Sequence, residues 1–347
     1  MRNSQIIGLF LMIIITTSIL FNLLVEHNNV PSNYNYEDGL KEARNSQILV
    51  GNNKEAGESK ILQNSVKVNA LQNNYLQYNG SISFKWLIGP ARVINDISIV
   101  DNEVIIGSDE SVMLMQLRNK SGWRVIYHNI TIVSSADVNG DGVEEVMAVS
   151  YEGNLLYINK TSGVILRNIS LGAKIISLSS ANLDVDQASE LCLLLDNSTI
   201  ITFDYDEVLW KLNVPSKAIF LYCGDIDQDL LDEILVGTIS GNVFCIENGR
   251  EIWSFLAEGM VSYITSGDVT PDSGSEVLVG TSKSFLYVLN AEGNLIKRIT
   301  VNGIVNSIIV RDINADKDSE MVLGTENGYV YIFSNDFSIL NLTVFSS

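Results

Sequence analysis

The chain has 347 residues, of which 46% are hydrophobic and only 4 are proline, so it can bury a large core and is not disordered as a whole. Its formal net charge of −19 argues against binding nucleic acid, which requires clustered lysine and arginine for the phosphates. The only histidines are His27 and His128, which leaves little for a histidine-based metal site or a catalytic triad. The length fits two average domains or one large all-β domain.

Residues 6–25 form the first predicted element, an apolar stretch without a charged side chain. As a helix of about 1.5 Å per residue it spans about 30 Å, the thickness of a bilayer's hydrocarbon core. Arg2 precedes the stretch, which places the N-terminus in the cytoplasm and the remainder of the chain outside. We therefore expect one transmembrane helix within a signal anchor over residues 1–28. A cleaved signal peptide, which would make the protein secreted, is the alternative.

Residues 29–59 are polar and irregular, and predict a tether between the membrane and a folded domain. Seven Asn-x-Ser/Thr sequons agree with export and with glycosylation. They begin at Asn79, Asn119, Asn129, Asn159, Asn168, Asn197 and Asn341.

Residues 60–347 repeat one pattern with a period of 43 to 45 residues. In the repeat that begins at Met260, an alternating segment precedes an acidic loop over residues 268–276, and three short apolar segments follow. Four short strands in each repeat are typical of a β-propeller blade. The sequence therefore predicts an all-β, seven-bladed propeller of four-stranded antiparallel blades, the first of them incomplete. Six blades with an N-terminal closing strand is the alternative.

The acidic loops open at residues 137, 182, 225, 268 and 312, and each places oxygen-bearing side chains at positions 1, 3 and 5 and a glutamate at position 9. This spacing suits Ca²⁺, which takes six to eight oxygen ligands in flexible geometry. The loops contain no nitrogen or sulfur ligand, which argues against zinc and copper. The candidate ligands are Asp137, Asn139, Asp141, Glu145, Asn182, Asp184, Asp186, Glu190, Asp225, Asp227, Asp229, Glu233, Asp268, Asp272, Glu276, Asp312, Asn314, Asp316 and Glu320.

A second interpretation of the loops remains open, in which each is a solvated turn whose Asp and Asn side chains bind their own backbone. Repulsion favours the cation where carboxylates are dense, as in the Asp225 loop, because like charges about 5 Å apart repel by about 1–3 kcal/mol. The loop at Asp268 favours neither interpretation, since Thr270 occupies position 3 and Pro271 follows it. In the repeat over residues 92–128 the loop has shrunk to residues 100–102, while the strand that opens with Glu103 is retained.

The segment from Asp225 to Thr238 resembles the FG-GAP or VCBS repeat, a family that includes the propeller of integrin α subunits. The resemblance implies a β-propeller with Ca²⁺ at Asp137, Asn139, Asp141 and Glu145 and at their equivalents. Only Gly142 keeps the glycine that the motif places after position 5; the other loops have Gln187, Leu230, Ser273 and Lys317 there.

A second resemblance concerns residues 208–212 and 251–255, which are similar to outer strands of quinoprotein-type propellers. In that family a tryptophan docks one blade on the next, so Trp210 and Trp253 are expected between blades. Quinone-binding and catalytic residues of that family are not recognisable in this sequence. The cysteines Cys192, Cys223 and Cys245 lie in apolar strands and are interpreted as small core residues.

The function expected from these features is that of a membrane-anchored extracellular calcium-binding propeller that binds a protein or glycan, as an adhesion or scaffold module. The turns at residues 150–152, 238–240 and 325–327 lie opposite the acidic loops and are the expected partner face. No nucleophile–base pair or phosphate-binding loop is evident, so an enzyme is not expected. An exported polysaccharide lyase or hydrolase, or a quinoprotein, that uses the central funnel is the alternative, and a purely structural envelope subunit is a third.

Overall fold

The computed structural model describes residues 65–67, 81–83, 93–100, 102–116, 121–270 and 274–344, and the secondary structure of these residues is all-β. The chain divides into two compact units, residues 1–90 and residues 91–347. In the first unit, β1 (Ser65–Lys67) pairs antiparallel with β2 (Ser81–Ser83). The helix predicted at residues 6–25 and the tether at residues 29–59 lie outside the described residues. Across the described part of the chain, no helix is long and apolar enough to cross a membrane.

The second unit contains six four-stranded sheets, numbered here in chain order. Sheet 1 contains β3 (Ile94–Val100), β4 (Glu103–Ser108), β5 (Ser111–Gln116) and β6 (Gly122–Ile126). Sheet 2 contains β7 (Ile130–Ala136), β8 (Glu145–Ser150), β9 (Asn154–Asn159) and β10 (Ile165–Ser170). Sheet 3 contains β11 (Ile175–Ala181), β12 (Glu190–Leu195), β13 (Thr199–Asp204) and β14 (Glu207–Asn213).

The last three sheets have the same organisation. Sheet 4 contains β15 (Ala218–Gly224), β16 (Glu233–Thr238), β17 (Asn242–Glu247) and β18 (Arg250–Leu256). Sheet 5 contains β19 (Val261–Gly267), β20 (Glu276–Thr281), β21 (Phe285–Leu289) and β22 (Leu295–Thr300). Sheet 6 contains β23 (Val305–Arg311), β24 (Glu320–Thr325), β25 (Tyr329–Phe333) and β26 (Ile339–Val344).

Within each sheet the four strands lie side by side in chain order, and each is antiparallel to the next. This confirms the predicted four-stranded antiparallel repeat. Six such sheets are consistent with a six-bladed propeller. The predicted seventh blade overlaps only with β1 and β2 among the described residues, and these form a two-stranded sheet.

Burial differs between the inner and outer strands of each sheet. Every residue of β16 is buried, whereas the outer strand β18 alternates between exposed and half-buried residues. This follows from the sequence, because the second strands are continuous apolar runs and the fourth strands mix apolar with charged residues. Five hydrophobic clusters each draw on two successive sheets, as where Leu155 of sheet 2 and Phe203 of sheet 3 belong to one cluster.

Tryptophans of the fourth strands cover glycines in the next sheet, which confirms the expected packing of Trp210 and Trp253 between sheets. The pairs are Trp123 with Gly163, Trp210 with Gly249 and Trp253 with Gly293. A Cβ added to Gly293 would lie 2.6 Å from the indole of Trp253, and Gly293 has a φ of +79°, so only glycine fits there. The indole nitrogen of Trp253 donates to the Ala291 carbonyl at 2.7 Å. The three cysteines are free and buried, as predicted.

Candidate functional site

The five acidic loops each connect the first strand of a sheet to the second, so they lie at one end of the strands. Each loop closes where the last residue of the first strand pairs with the glutamate at position 9, as Gly224 pairs with Glu233. These glutamates are almost fully buried, with exposed fractions of 0% for Glu190 and 3% for Glu276. A buried carboxylate must be hydrogen-bonded, protonated or paired with a cation, because an isolated charge is costly away from water.

One oxygen of each glutamate is bonded in the same way in all five loops. The backbone N–H at position 2 donates to Oε2, at 2.9 Å from Ile226 to Glu233 and at 2.6 Å from Leu183 to Glu190. The other three pairs are Val138 with Glu145, Val269 with Glu276 and Ile313 with Glu320. The glutamate therefore fastens the loop to the sheet, and it does so through the backbone N–H at position 2, a contact that the sequence analysis did not identify. The signal for it was present, since this residue always opens the most buried strand.

Positions 1, 3 and 5 also bind their own backbone. In the Asp225 loop, the Asp225 carboxylate accepts N–H bonds from Gln228 at 2.7 Å and from Leu230 at 3.1 Å. Asp312 makes the equivalent bonds to the N–H groups of Ala315 and Lys317. Positions 3 and 5 each accept from the N–H two residues further on in four loops. The Asx-turn interpretation is thus correct for the backbone, and it leaves the cation interpretation open.

The Asn182 loop departs from this pattern at position 1. Asn182 donates its backbone N–H to the Asp232 carboxylate at 2.8 Å and its side-chain amide to the Leu230 carbonyl at 2.7 Å. Both acceptors belong to the neighbouring Asp225 loop, so Asn182 links two loops. Burial, followed by the Asp225 charge, raises the pKa of Asp232.

The second oxygen of the glutamate divides the loops. Where position 3 is a neutral donor, that residue donates to Oε1 at 2.8 Å: Asn139 to Glu145, Thr270 to Glu276 and Asn314 to Glu320. In the other two loops position 3 is Asp184 or Asp227, and a carboxylate cannot donate. Oε1 of Glu190 is buried and has no hydrogen-bond partner among the described residues.

Carboxylates converge in these same two loops. Asp184, Asp186 and Glu190 each contribute an oxygen, and the three oxygens lie within 4.8 Å of one another. Asp225, Asp227 and Asp229 meet the same limit, without Glu233. Elsewhere in the described ranges no set of three acidic, cysteine or histidine side chains does so. The predicted ligand Asp272 lies outside the described residues, and Asp268 is exposed.

The electrostatics of the two loops reflects this crowding. Burial, followed by the charges of Asp184 and Asp186, raises the pKa of Glu190 to about 7. Burial and the aspartates of its own loop raise the pKa of Glu233 to about 7 as well. In each loop the backbone N–H groups offset only part of the negative charge of the crowded carboxylates. A divalent cation stabilises a loop under this condition.

Sheet 1 shows what replaces the loop where it is lost. β3 and β4 are joined directly, with Val100 paired to Glu103. Lys160, which follows β9 of sheet 2, places its ammonium 3.1 Å from Glu103 Oε2 and 2.6 Å from Glu144 Oε2. Gln116 donates to Glu103 Oε1 at 2.9 Å. The equivalent glutamate of this sheet, Glu103, is therefore neutralised by Lys160, and no acidic loop connects β3 to β4.

The opposite end of the strands has a different chemistry. It carries exposed apolar side chains, of which Tyr151 at 57% and Ile239 at 50% exposure lie in turns predicted as the partner face, while Leu256 at 70% ends the strand β18. Ile126 and Met260 lie exposed at the same end. His128, the histidine in the described part of the chain, is exposed and lies two residues beyond the end of β6.

Comparisons with known proteins support the propeller. A family model for the lambda-carrageenase β-propeller domain matches residues 197–302, which is less than half of the chain. Among solved structures, BBS1N in complex with ARL6DN, soaked with mercury, aligns with a TM-score of 0.55 and 10% identity over 70% of this chain and 75% of that one. The Saccharomyces cerevisiae protein Sqt1 aligns with a TM-score of 0.58 and 13% identity over 71% of this chain and 72% of that one. A search of curated proteins finds no match. At these identities the likeness shows the fold alone.

Proposed function

We propose that this protein is a membrane-anchored extracellular β-propeller that binds a protein partner through the end of its sheets opposite the acidic loops, as an adhesion or scaffold module. The observation that carries the proposal is the contrast between the two ends of the strands. One end holds the repeated acidic loops, which expose Val143, Val185 and Leu230 beside their carboxylates, and the other exposes Tyr151, Ile239 and Leu256 where no acidic loop is present. The FG-GAP or VCBS interpretation belongs to the same proposal and is supported by the loop motif, which recurs in five of the six four-stranded sheets.

The apolar end supports protein binding on energetic grounds. Tyr151, Ile239 and Leu256 are each at least half exposed on a rim where polar turn residues would cost nothing. Aromatic and aliphatic side chains at the centre of a surface patch are the usual anchors of protein–protein interfaces. The BBS1N propeller was solved with a protein partner, ARL6DN, which is a precedent for this use of the fold and no more.

The acidic loops support a second part of the proposal, that Ca²⁺ binds there and stiffens the sheets. The loops connect the first two strands in five of the six four-stranded sheets, so fixing a loop fixes the geometry of that strand pair. Oxygen-only ligands at this spacing favour Ca²⁺ over zinc or copper. The stiffened sheets would then hold the turns at the other end in a fixed arrangement.

The partner face is tested by crosslinking the full-length protein on intact cells with a photoreactive residue placed beside Tyr151. The triple variant Tyr151→Ser, Ile239→Ser and Leu256→Ser is expected to lower the yield of the specific crosslinked partner at least about tenfold, which corresponds to about 1.4 kcal/mol. The matched control is Val208→Ser with Leu209→Ser, two exposed apolar residues on the outer strand β14. An unchanged yield in the triple variant would contradict the proposed face.

The anchor and its orientation are tested separately. Full-length protein is expected to stay in the membrane pellet after alkaline extraction, while a protease added outside intact cells degrades residues beyond the tether. Release into the supernatant would indicate cleavage and a secreted protein. Protection from the protease would contradict the extracellular placement.

A glycan-directed role is the second candidate, because the matching family model is that of a carrageenase propeller. In this alternative the exported propeller binds or cleaves a polysaccharide through its central funnel. A panel of sulfated and neutral polysaccharides, assayed for binding and for new reducing ends, separates the candidates. Saturable binding or cleavage of a polysaccharide that the triple variant of Tyr151, Ile239 and Leu256 retains favours this second role.

A further inference from the structure

Six glutamates occupy the same place in six sheets, at the start of the second strand, and their second oxygens meet different partners. Glu103 is bonded to Gln116 and paired with Lys160. Glu145, Glu276 and Glu320 accept from the neutral donor at position 3 of their loops. Glu190 has neither arrangement: its second oxygen is buried and unpartnered among the described residues.

We infer that the Asn182 loop, through Asp184, Asp186 and Glu190, is the principal divalent-cation site of the chain, and that aspartate at position 3 keeps the second oxygen of Glu190 open to the cation. This inference rests on the proposed calcium binding and narrows it. In the loops at Asp137, Asp268 and Asp312 the amide or hydroxyl at position 3 satisfies the second oxygen of the glutamate. Asp137 Oδ1 is also buried and unpartnered among the described residues, but no three carboxylates converge in its loop.

Two independent observations meet at the Asn182 loop. Asp184, Asp186 and Glu190 bring three oxygens within 4.8 Å of one another. Glu190, at 0% exposure, aims an unpartnered oxygen at that group. An unpaired buried acceptor is costly to fold around, and a cation that accepts its lone pair removes the cost.

The orientation of the position 3 side chain explains the division. In the Asp137 loop, Asn139 Oδ1 accepts the Asp141 N–H at 2.9 Å, which turns the amide nitrogen toward Glu145. In the Asn182 loop, Asp184 Oδ1 accepts the Asp186 N–H at the same distance, which turns a second carboxylate oxygen toward Glu190. At position 3 the two loops therefore differ by one atom. Asn139 presents a nitrogen that donates to Glu145, and Asp184 presents an oxygen that repels Glu190.

A hard divalent cation fits this site, since all the converging atoms are carboxylate oxygens. The Asp225 loop also has aspartate at position 3, but its converging set leaves out Glu233 and contains no buried unpartnered atom among the described residues. The Asp225 loop is therefore not assigned as a second cation site, and it serves as the control for the Asn182 loop.

The test exchanges the two atoms in the full-length protein. Asp184→Asn should install the closure seen at Asn139, so it should abolish the Ca²⁺-dependent rise in melting temperature. The same change should raise the melting temperature without Ca²⁺ by about 2–4 °C. Asn139→Asp should do the reverse in its own loop, with a lower melting temperature without cation and a larger response to Ca²⁺. Calorimetric titration with Ca²⁺, and with Mg²⁺ as a control, measures binding directly.

Asp227→Asn is the matched control and should leave the tightest Ca²⁺ binding in place. Retention of that binding in Asp184→Asn, or its loss in Asp227→Asn alone, would overturn the assignment. If Asp184→Asn does not fold, Glu190→Gln gives the second test, because its amide can donate to Asp184. Equal binding at all five loops also overturns the inference while leaving the proposed calcium binding intact. An absence of any Ca²⁺ binding overturns both, and the crosslinking of the partner face is unaffected by either result.

Discussion

Sheets 1 and 3 place a glutamate at the start of the second strand but surround it with charges of opposite sign. Glu103 of sheet 1 has no acidic loop and receives the ammonium of Lys160 from sheet 2. Glu190 of sheet 3 has a loop of additional carboxylates and no donor for its second oxygen. The comparison teaches that the same position does different work in the two sheets: the Glu190 carboxylate fastens its loop through the Leu183 N–H, and the Glu103 carboxylate joins two sheets through Lys160.

The largest expected effect breaks the sheet 1 side of this comparison. Lys160→Met should lower the free energy of unfolding by about 2–3 kcal/mol, because it leaves the largely buried Glu103 carboxylate without its cation and close to Glu144. The lysine and Glu103 side chains are only 16% and 19% exposed. Chemical denaturation of the full chain measures the change.

Arg298→Met provides the control for Lys160→Met, since Arg298 pairs with Glu258 at 2.6 Å but both side chains are largely exposed. Its loss should cost less than about 1 kcal/mol. Equal costs for the two variants would show that Lys160 is an ordinary surface pair and not a replacement for the loop.

An intermediate effect sharpens the contrast between closed and open loops. Glu320→Gln should cost about 1–2 kcal/mol, because its new amide nitrogen must face the N–H of Ile313 or the amide of Asn314, and both are donors. Glu190→Gln should instead be neutral or stabilising in the absence of cations, since its amide nitrogen faces Asp184. Thermal melts in chelator measure both. Destabilisation of similar size in the two variants would remove the distinction.

The smallest effect concerns the backbone of the loops. Leu230 and Lys317 hold φ values of +79° and +87° at position 6, where the Asp137 loop has Gly142. Leu230→Gly and Lys317→Gly should therefore stabilise the protein by about 0.5–1 kcal/mol, because glycine adopts this conformation without a steric penalty.

Gln187 is the control for these glycine substitutions, because it occupies position 6 of the Asn182 loop and is not among the residues with positive φ. Gln187→Gly should destabilise by about 0.5–1 kcal/mol through the added freedom of the unfolded chain. Stabilisation by Gln187→Gly in the same denaturant titration would contradict the finding that residue 187, unlike residues 230 and 317, lacks a positive φ.

The repeat itself could be predicted from the sequence. The four strands of each repeat and the glutamate that opens the second strand follow from short-range patterns, and these patterns recur in five repeats. Aspartate and asparagine at position 3 looked equivalent as oxygen ligands for a cation, and only Thr270 stood out as different. Aspartate and asparagine are not equivalent, because Asn139 presents nitrogen to the glutamate and Asp184 presents oxygen, and only the folded loop shows which atom points inward. The pairing of Lys160 with Glu103 joins residues far apart in the chain, so no local pattern revealed it.

The tryptophan–glycine contacts have a practical consequence. Trp123, Trp210 and Trp253 each cover a glycine of the following sheet, at three different junctions. Each indole is thus a natural fluorescent reporter of one seam, and opening of that seam would expose it to water and shift its emission to longer wavelengths. Variants that keep one of these tryptophans at a time would show which seam separates first as the protein unfolds.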